Sequence, residues 1–183
     1  WDEAIAEFKE AIMADANDAR AYSGLGWACF QKKDYKGAID SYKKALAINP
    51  ADTSARSSLG SAYMNREMYK EAIAEYKEAK KQSTSEADKA LKGYLIAKCY
   101  AIMGKKKESL ESLASAVKFN PMYGQTAKSE AAFKPFLKDK TFLELTSPKK
   151  EEPKKEEPKK EETMKVEPQI QEPAKEAAPE AVR

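Results

Sequence analysis

Apolar and small residues return along the chain every 34 positions. Ala4, Ala38 and Ala72 share one register, as do Phe8, Tyr42 and Tyr76, Ala11, Ala45 and Ala79, and Trp1, Tyr35 and Tyr69. The same spacing aligns Leu25-Gly26 with Leu59-Gly60. A fixed period of this length marks stacked units, none of which can bury its apolar face alone. Each unit reads as two helices. In residues 19–32, Tyr22, Leu25, Gly26 and Cys29 fall three and four apart, on one helix face. In residues 35–48, Tyr35, Ala38, Ile39, Tyr42, Ala45 and Leu46 do the same. Lys33-Asp34 predicts a short turn between them. Asn49-Pro50 predicts the stop, because Pro lacks the amide donor and Asn tolerates a left-handed cap. Asp52 or Thr53 can cap the helix that follows.

Small residues stand where helices must approach closely: Gly26 and Gly60 on first helices, Ala38 and Ala72 on second helices. Leu25, Tyr42, Leu59 and Tyr76 are the large residues placed to fill the flanking holes, so the pattern predicts ridge-and-groove packing repeated along the array. Gly24-x-Gly26 belongs to this packing and is not a phosphate loop.

These residues resemble the tetratricopeptide repeat, whose pattern is aromatic-x2-Leu-Gly-x2-Tyr, then Ala-x3-Phe, then Pro. One copy reads Tyr22-x2-Leu25-Gly26-x2-Cys29, Ala38-x3-Tyr42, Pro50. The next reads Arg56-x2-Leu59-Gly60-x2-Tyr63, Ala72-x3-Tyr76. A degenerate copy follows at an offset of 37: Gly93-x2-Ile96-Ala97-x2-Tyr100, Gly104, Ser109-x3-Leu113, Ala116, Pro121. The resemblance divides the chain into a half repeat (1–18), two repeats (19–52 and 53–86) and a degenerate repeat (90–123). Arg56 and Gly93 replace the first aromatic, and Thr84 stands where Pro would end the third unit. The three-residue insertion is expected to make the loop over residues 82–88 longer and looser.

Past Pro121 the period decays. Residues 124–132 could begin another first helix, which Pro135 would interrupt. Phe133, Phe136, Leu137, Phe142, Leu143 and Leu145 cluster closely, and a solenoid needs a cover for its last interface. Residues 124–146 are therefore read as capping helices, similar to endings seen after some bacterial arrays of this family. Residues 147–183 change composition. They hold six of the nine prolines, no aromatic residue and a Pro-Lys-Lys-Glu-Glu repeat, with 9 Lys and Arg against 10 Glu. Too little apolar surface offsets the ordering entropy, so this tail is predicted to be disordered, a spacer reaching roughly 100 Å if fully extended in polyproline form. The predicted fold is all-α: a right-handed α-solenoid with a capping segment and a disordered tail.

Composition narrows the chemistry. The chain has no His, which removes the commonest general base and the commonest metal ligand. Glu71 and Glu75 read as a solvated helix face. No catalytic residue, cofactor or metal is expected, so the chain is not read as an enzyme. A net charge of +3 without a broad basic footprint points away from nucleic acid, and Lys105-Lys106-Lys107 reads as a solvated turn. Cys29 falls on a core position and Cys99 beside the one held by Tyr100. The two lie two repeats apart, too far for a bridge. Free thiols favour a reducing, cytoplasmic compartment. The start at Trp1, in mid-repeat and without Met, leaves a periplasmic or exported form open. No apolar stretch is long enough to span a membrane.

The resemblance implies that first helices line a concave groove receiving an extended or helical peptide. The matching positions are Arg20, Ser23, Trp27, Phe30 and Gln31, then Ser54, Ser57, Ser61, Met64 and Asn65, then Leu91, Tyr94, Lys98, Ala101 and Ile102. Trp27, Phe30 and Tyr94 would form an aromatic strip, with Ser23, Ser57 and Ser61 free to bond a ligand backbone. The competing reading covers Trp27 and Phe30 with other repeats or the cap. Some chaperone-binding members hold a C-terminal carboxylate with Lys and Asn. The matching residues here are Ser23, Trp27, Ser58, Leu91 and Leu95, so no such clamp is expected. The function expected is a non-enzymatic scaffold for a protein or peptide partner. The alternative is self-association of apolar repeat ends into oligomers or filaments.

Overall fold

The computed structural model describes residues 1–147; the prolines and charged repeats of the expected tail lie outside the described residues. The described residues form helices α1 (Asp2–Ala14), α2 (Ala19–Gln31), α3 (Tyr35–Ile48), α4 (Thr53–Asn65), α5 (Tyr69–Gln82), α6 (Glu86–Ile102), α7 (Lys106–Phe119), α8 (Met122–Ser129) and α9 (Lys140–Thr146), with a 3-10 helix at Ala131–Phe136 between the last two. Helices α2–α3, α4–α5 and α6–α7 are the antiparallel pairs of an all-α solenoid, and α1 packs on α2 in the sequence register of α3 and α5.

The repeat sets its own caps. Asp18 accepts from the amides of Arg20 and Ala21 at 2.8 and 3.1 Å, and Asp52 from those of Ser54 and Ala55 at 3.0 and 2.9 Å. Each satisfies orphan donors of a helix start. Asn49 is not left-handed as the sequence suggested; its φ is −125° and its amide still bonds back to Ala45. Among the described residues the left-handed ones are instead Lys33, Glu67 and Gly104, one in the turn of each pair.

The insertion before the last pair does not loosen a loop. Only Ser83–Ser85 separates α5 from α6, and α6 has 17 residues where α2 and α4 have 13. The extra residues form a helical turn, because they carry their own start signals. Ser85 accepts from the amide of Asp88, and Asp88 pairs with the buried Lys92 at 3.2 Å.

Tight contacts follow the small residues. A Cβ on Gly26 would lie 2.9 Å from the Tyr42 ring, and one on Gly24 would lie 2.3 Å from Phe8. The core runs in two clusters. One threads α2 to α6 around Tyr42, Leu59, Tyr76 and Cys99. The other joins α6 and α7 to the cap around Leu113, Phe133 and Phe142, all fully buried. Cys99, read as a neighbour of the core, lies wholly inside it, and Tyr100 is the half-buried one. The degenerate motif still packs: buried Ser109 donates to the Ala97 carbonyl at 2.9 Å, spanning α7 and α6. α8 ends at Ser129, well before Pro135, which sits inside the 3-10 helix.

Candidate partner-binding face

Trp27 leaves the core stripe as its position demands. It is 47% exposed and meets Trp1 edge to face, with centroids 4.8 Å apart. Phe30, one turn further on, is half-buried and held edge to face against Tyr35 at 5.4 Å. Between α2 and α4 lies a cavity of about 200 Å³ lined by Trp27, Phe30, Gln31, Tyr42, Ser58 and Ser61. Its wall carries no ionised side chain. Tyr42 reaches this cavity from the second helix because Gly26 presents no side chain to its ring. Burial pushes the Tyr42 phenol up, with Ser58 nearby pulling the other way, so the floor is neutral and polar at the phenol.

The cavity therefore unites Trp27, Phe30, Gln31 and Ser61 of the expected set and adds Tyr42 and Ser58. The register could have found Tyr42, since it stands 16 residues after Gly26 as Tyr76 does after Gly60. Ser58 was weighed only as a carboxylate-clamp position.

Ser57 and Ser61 do not hold free hydroxyls for a ligand backbone. Ser57 donates to the Thr53 carbonyl at 2.7 Å, and Ser61 lies 3.2 Å from the Ser57 carbonyl and 2.9 Å from the Tyr76 hydroxyl. A hydroxyl one turn from a helix carbonyl bonds back to it unless something competes. Ser23 differs: its Oγ is buried and finds no partner among the described residues. Asn65 donates to the Ser61 carbonyl at 2.9 Å, Met64 packs on the core, and Arg20 stands in solvent.

The last repeat does not contribute the aromatic strip expected of it. Tyr94 is 6% exposed, stacked on Tyr123 at 5.0 Å and facing Phe133 at 6.1 Å. Lys98 pairs with Glu130 at 2.9 Å, and Ala101 is buried. The cap lies on this part of the face, because an aromatic at position 94 and the Phe cluster of the cap bury each other's apolar surface. Leu91 and Ile102 remain exposed beside it. The open cavity is thus built by α2 and α4 with the Tyr42 ring of α3.

Glu75 is not on a solvated face. It pairs with Arg56 at 3.1 Å, and Arg56 also donates to the Pro50 carbonyl at 2.8 Å. Arg56 thereby ties together three segments where the motif's aromatic would pack. Among the described residues there is no cluster of metal-ligating side chains, both cysteines are free, and no helix is long and apolar enough to cross a membrane.

Comparison with known proteins agrees with this architecture. Residues 19–52 and residues 54–84 each match a family model described as the tetratricopeptide repeat. No curated protein matched the chain. Among solved structures, the crystal structure of MamA superposes with a TM-score of 0.67 at 21% identity, covering 78% of this chain and 82% of that one. The MamA RS-1 ArsTM double mutant gives 0.67 at 23%, over 79% and 80%. MamA MSR-1 gives 0.59 at 23%, over 66% and 68%. At these identities the likeness is one of fold. Two adjoining repeats matched in sequence, set in a solenoid shared with these structures, make the chain a tetratricopeptide repeat protein.

Proposed function

We propose that this protein is a non-enzymatic interaction scaffold that receives a peptide segment of a partner on the face formed by α2 and α4. The observation that carries this reading is the cavity beside Trp27. An indole held half in water, over an uncharged pocket, is the kind of anchor that dominates binding energy. Its volume of about 200 Å³ lies below the roughly 300–1,000 Å³ of small-molecule sites and suits a single side chain. The partner enters one apolar side chain between Trp27 and Phe30, while Gln31 contacts the adjoining backbone.

Selection of a random peptide library on the intact chain tests this. Enriched peptides are expected to share an apolar anchor and to lose binding to Trp27→Ala. Peptides that bind both proteins alike would refute the assignment.

Self-association is the second reading. It rests on α1, which has no buried residue, with Met13 on it and Trp1 just before it exposed, and on Leu137 and Leu143, exposed on the cap. Light scattering over a concentration series separates the two: growth in mass favours stacking, and a constant monomer mass removes it.

A further inference from the structure

Lys43 and Lys77 hold equivalent places on successive second helices, 34 residues apart. Each lies over the aromatic ring of the next first helix. Lys43 Nζ is 5.7 Å from the Tyr63 centroid, and Lys77 Nζ is 5.6 Å from that of Tyr100. The residue next in this register is Ala114, 37 beyond Lys77. Among the described residues no aromatic lines the cleft beside it. α8 has only 8 residues against 13 in α2 and α4, and the chain then departs as the 3-10 helix that packs beside Tyr94. A cleft of about 570 Å³ is left, floored by Leu110, Ala114 and Leu145 and rimmed by Lys107, Glu111 and Thr141. Leu110 stands in the register of Ile39 and Ile73 and is buried as they are, so the open part of the cleft lies above Ala114 and Leu145, which are only half-buried. Lys106 is held by Asp139 at one end of the cleft, while Lys107 and Glu111 have no ion-pair partner among the described residues.

We propose that this cleft is a second docking site, for a helix of a partner protein that presents an aromatic side chain to Ala114. The reasoning is continuity. The array has already built this interface twice, each time with a first helix bringing Tyr63 or Tyr100 onto the helix before it. The cleft stands where that interface would recur a third time, and α8 ends at Ser129, before the register of Tyr63 and Tyr100 returns. Ala in place of Lys clears the space above the floor. An amphipathic helix laid in such a groove binds through anchors three and four residues apart, with charges at the rim.

The chain supplies its own probe. A fluorescein-labelled peptide of residues 53–68, held helical by a side-chain link on its exposed face, is titrated with the full chain. Saturable binding is expected, weakened about tenfold or more when the probe carries Tyr63→Ala, as loss of an aromatic anchor does. Ala114→Trp fills the cleft and abolishes binding. Thr141→Arg blocks the same site from the cap and abolishes binding independently, should Ala114→Trp fail to fold. Trp27→Ala leaves it unchanged, which separates this site from the α2–α4 face. Absence of saturable binding, equal binding to the protein carrying Thr141→Arg, or loss on Trp27→Ala would each overturn the proposal.

Discussion

Gly60 faces the ring of Tyr76 so closely that a β-carbon there would lie 2.8 Å from Cε1 and 2.9 Å from Cδ1. The ring is fully buried and its hydroxyl is 2.9 Å from Ser61 Oγ, so it has nowhere to retreat. Gly93 offers the contrast, since the nearest atom to a β-carbon there is 3.5 Å away.

Alanine at these two glycines is therefore expected to act with opposite sign. Helix propensity favours Ala over Gly by about 1 kcal/mol in both cases. At position 60 an overpacking cost of about 1–3 kcal/mol opposes it, and a net loss should appear. At position 93 no such term enters, and stability should rise by about 0.5–1 kcal/mol. Urea denaturation of Gly60→Ala and Gly93→Ala measures both. A gain at position 60 would show that the ring yields.

Trp27→Ala should separate binding from folding. The half-exposed indole gives the fold little beyond its edge contact with Trp1, a pair of a kind worth about 0.5–1.5 kcal/mol. Loss of an anchor from a partner complex costs about 2 kcal/mol or more. Titration with library-selected peptides, beside a thermal melt of the same variant, reads both quantities. A melt that collapses together with binding would make Trp27 a core residue.

Cys99 is expected to resist alkylation in the folded chain. Burial pushes its thiol up to about 11 from an ordinary 9.0, so little thiolate forms at neutral pH. The sign for stability follows. The contribution is complete below about pH 9, and it is lost as pH rises toward about 11, because the unfolded thiol ionises first. Iodoacetamide labelling read by mass spectrometry, with and without denaturant, checks the first point. Cys99→Ala should lose less stability than the parent over that alkaline window. Rapid labelling of native Cys99 would contradict the packing described.

Asp139 carries an acid-side dependence. The Lys106 ammonium, and then the Phe142 amide, hold its carboxyl below the ordinary 3.8. Its contribution is present above that value and is lost as pH falls through the lower folded one. Asp139→Asn keeps an N-cap for α9 and removes the charge, whereas Asp139→Ala removes both. Chemical denaturation at neutral pH should rank the parent above Asn and Asn above Ala. Near pH 2 the gap between parent and Asn should close. A gap that persists there would point to lost packing.

The helix pairs were legible because every unit repeats the same small and large residues, so errors in one copy are corrected by the next. The added turn of α6 was misread as loop, since insertion length alone cannot distinguish chain that wanders from chain that caps itself. Ser85 and the Asp88–Lys92 spacing held that information. The Trp27 cavity was half legible. The outward position of Trp27 follows from the helical period, but the arrival of Tyr42 beneath it depends on an inter-helix approach that spacing does not report. Tyr94 failed as a groove residue for the same reason. Its position is correct for the family, and only the path of the cap decides what lies on it.

The turn within each pair bears on how firmly the array holds together. Lys33 and Glu67 adopt φ of 63° and 59°, whereas the same place in the last pair is Gly104 at 71°. Left-handed backbone costs a residue with a β-carbon about 1–2 kcal/mol, which glycine avoids. Stability in repeat arrays is close to a sum of local terms, so the hairpin of α6 and α7, with its relaxed turn and its aromatic cap, is expected to be the anchored end. The hairpins of α2–α3 and α4–α5 should open first, and amide hydrogen exchange should show their protection failing at lower free energy than that of α6 and α7. The Trp27 cavity stands on that softer end. A partner entering it would tighten its own receptor, giving up part of its affinity to do so. It could then be felt along the array as a change in breathing while the mean positions of the helices stay the same.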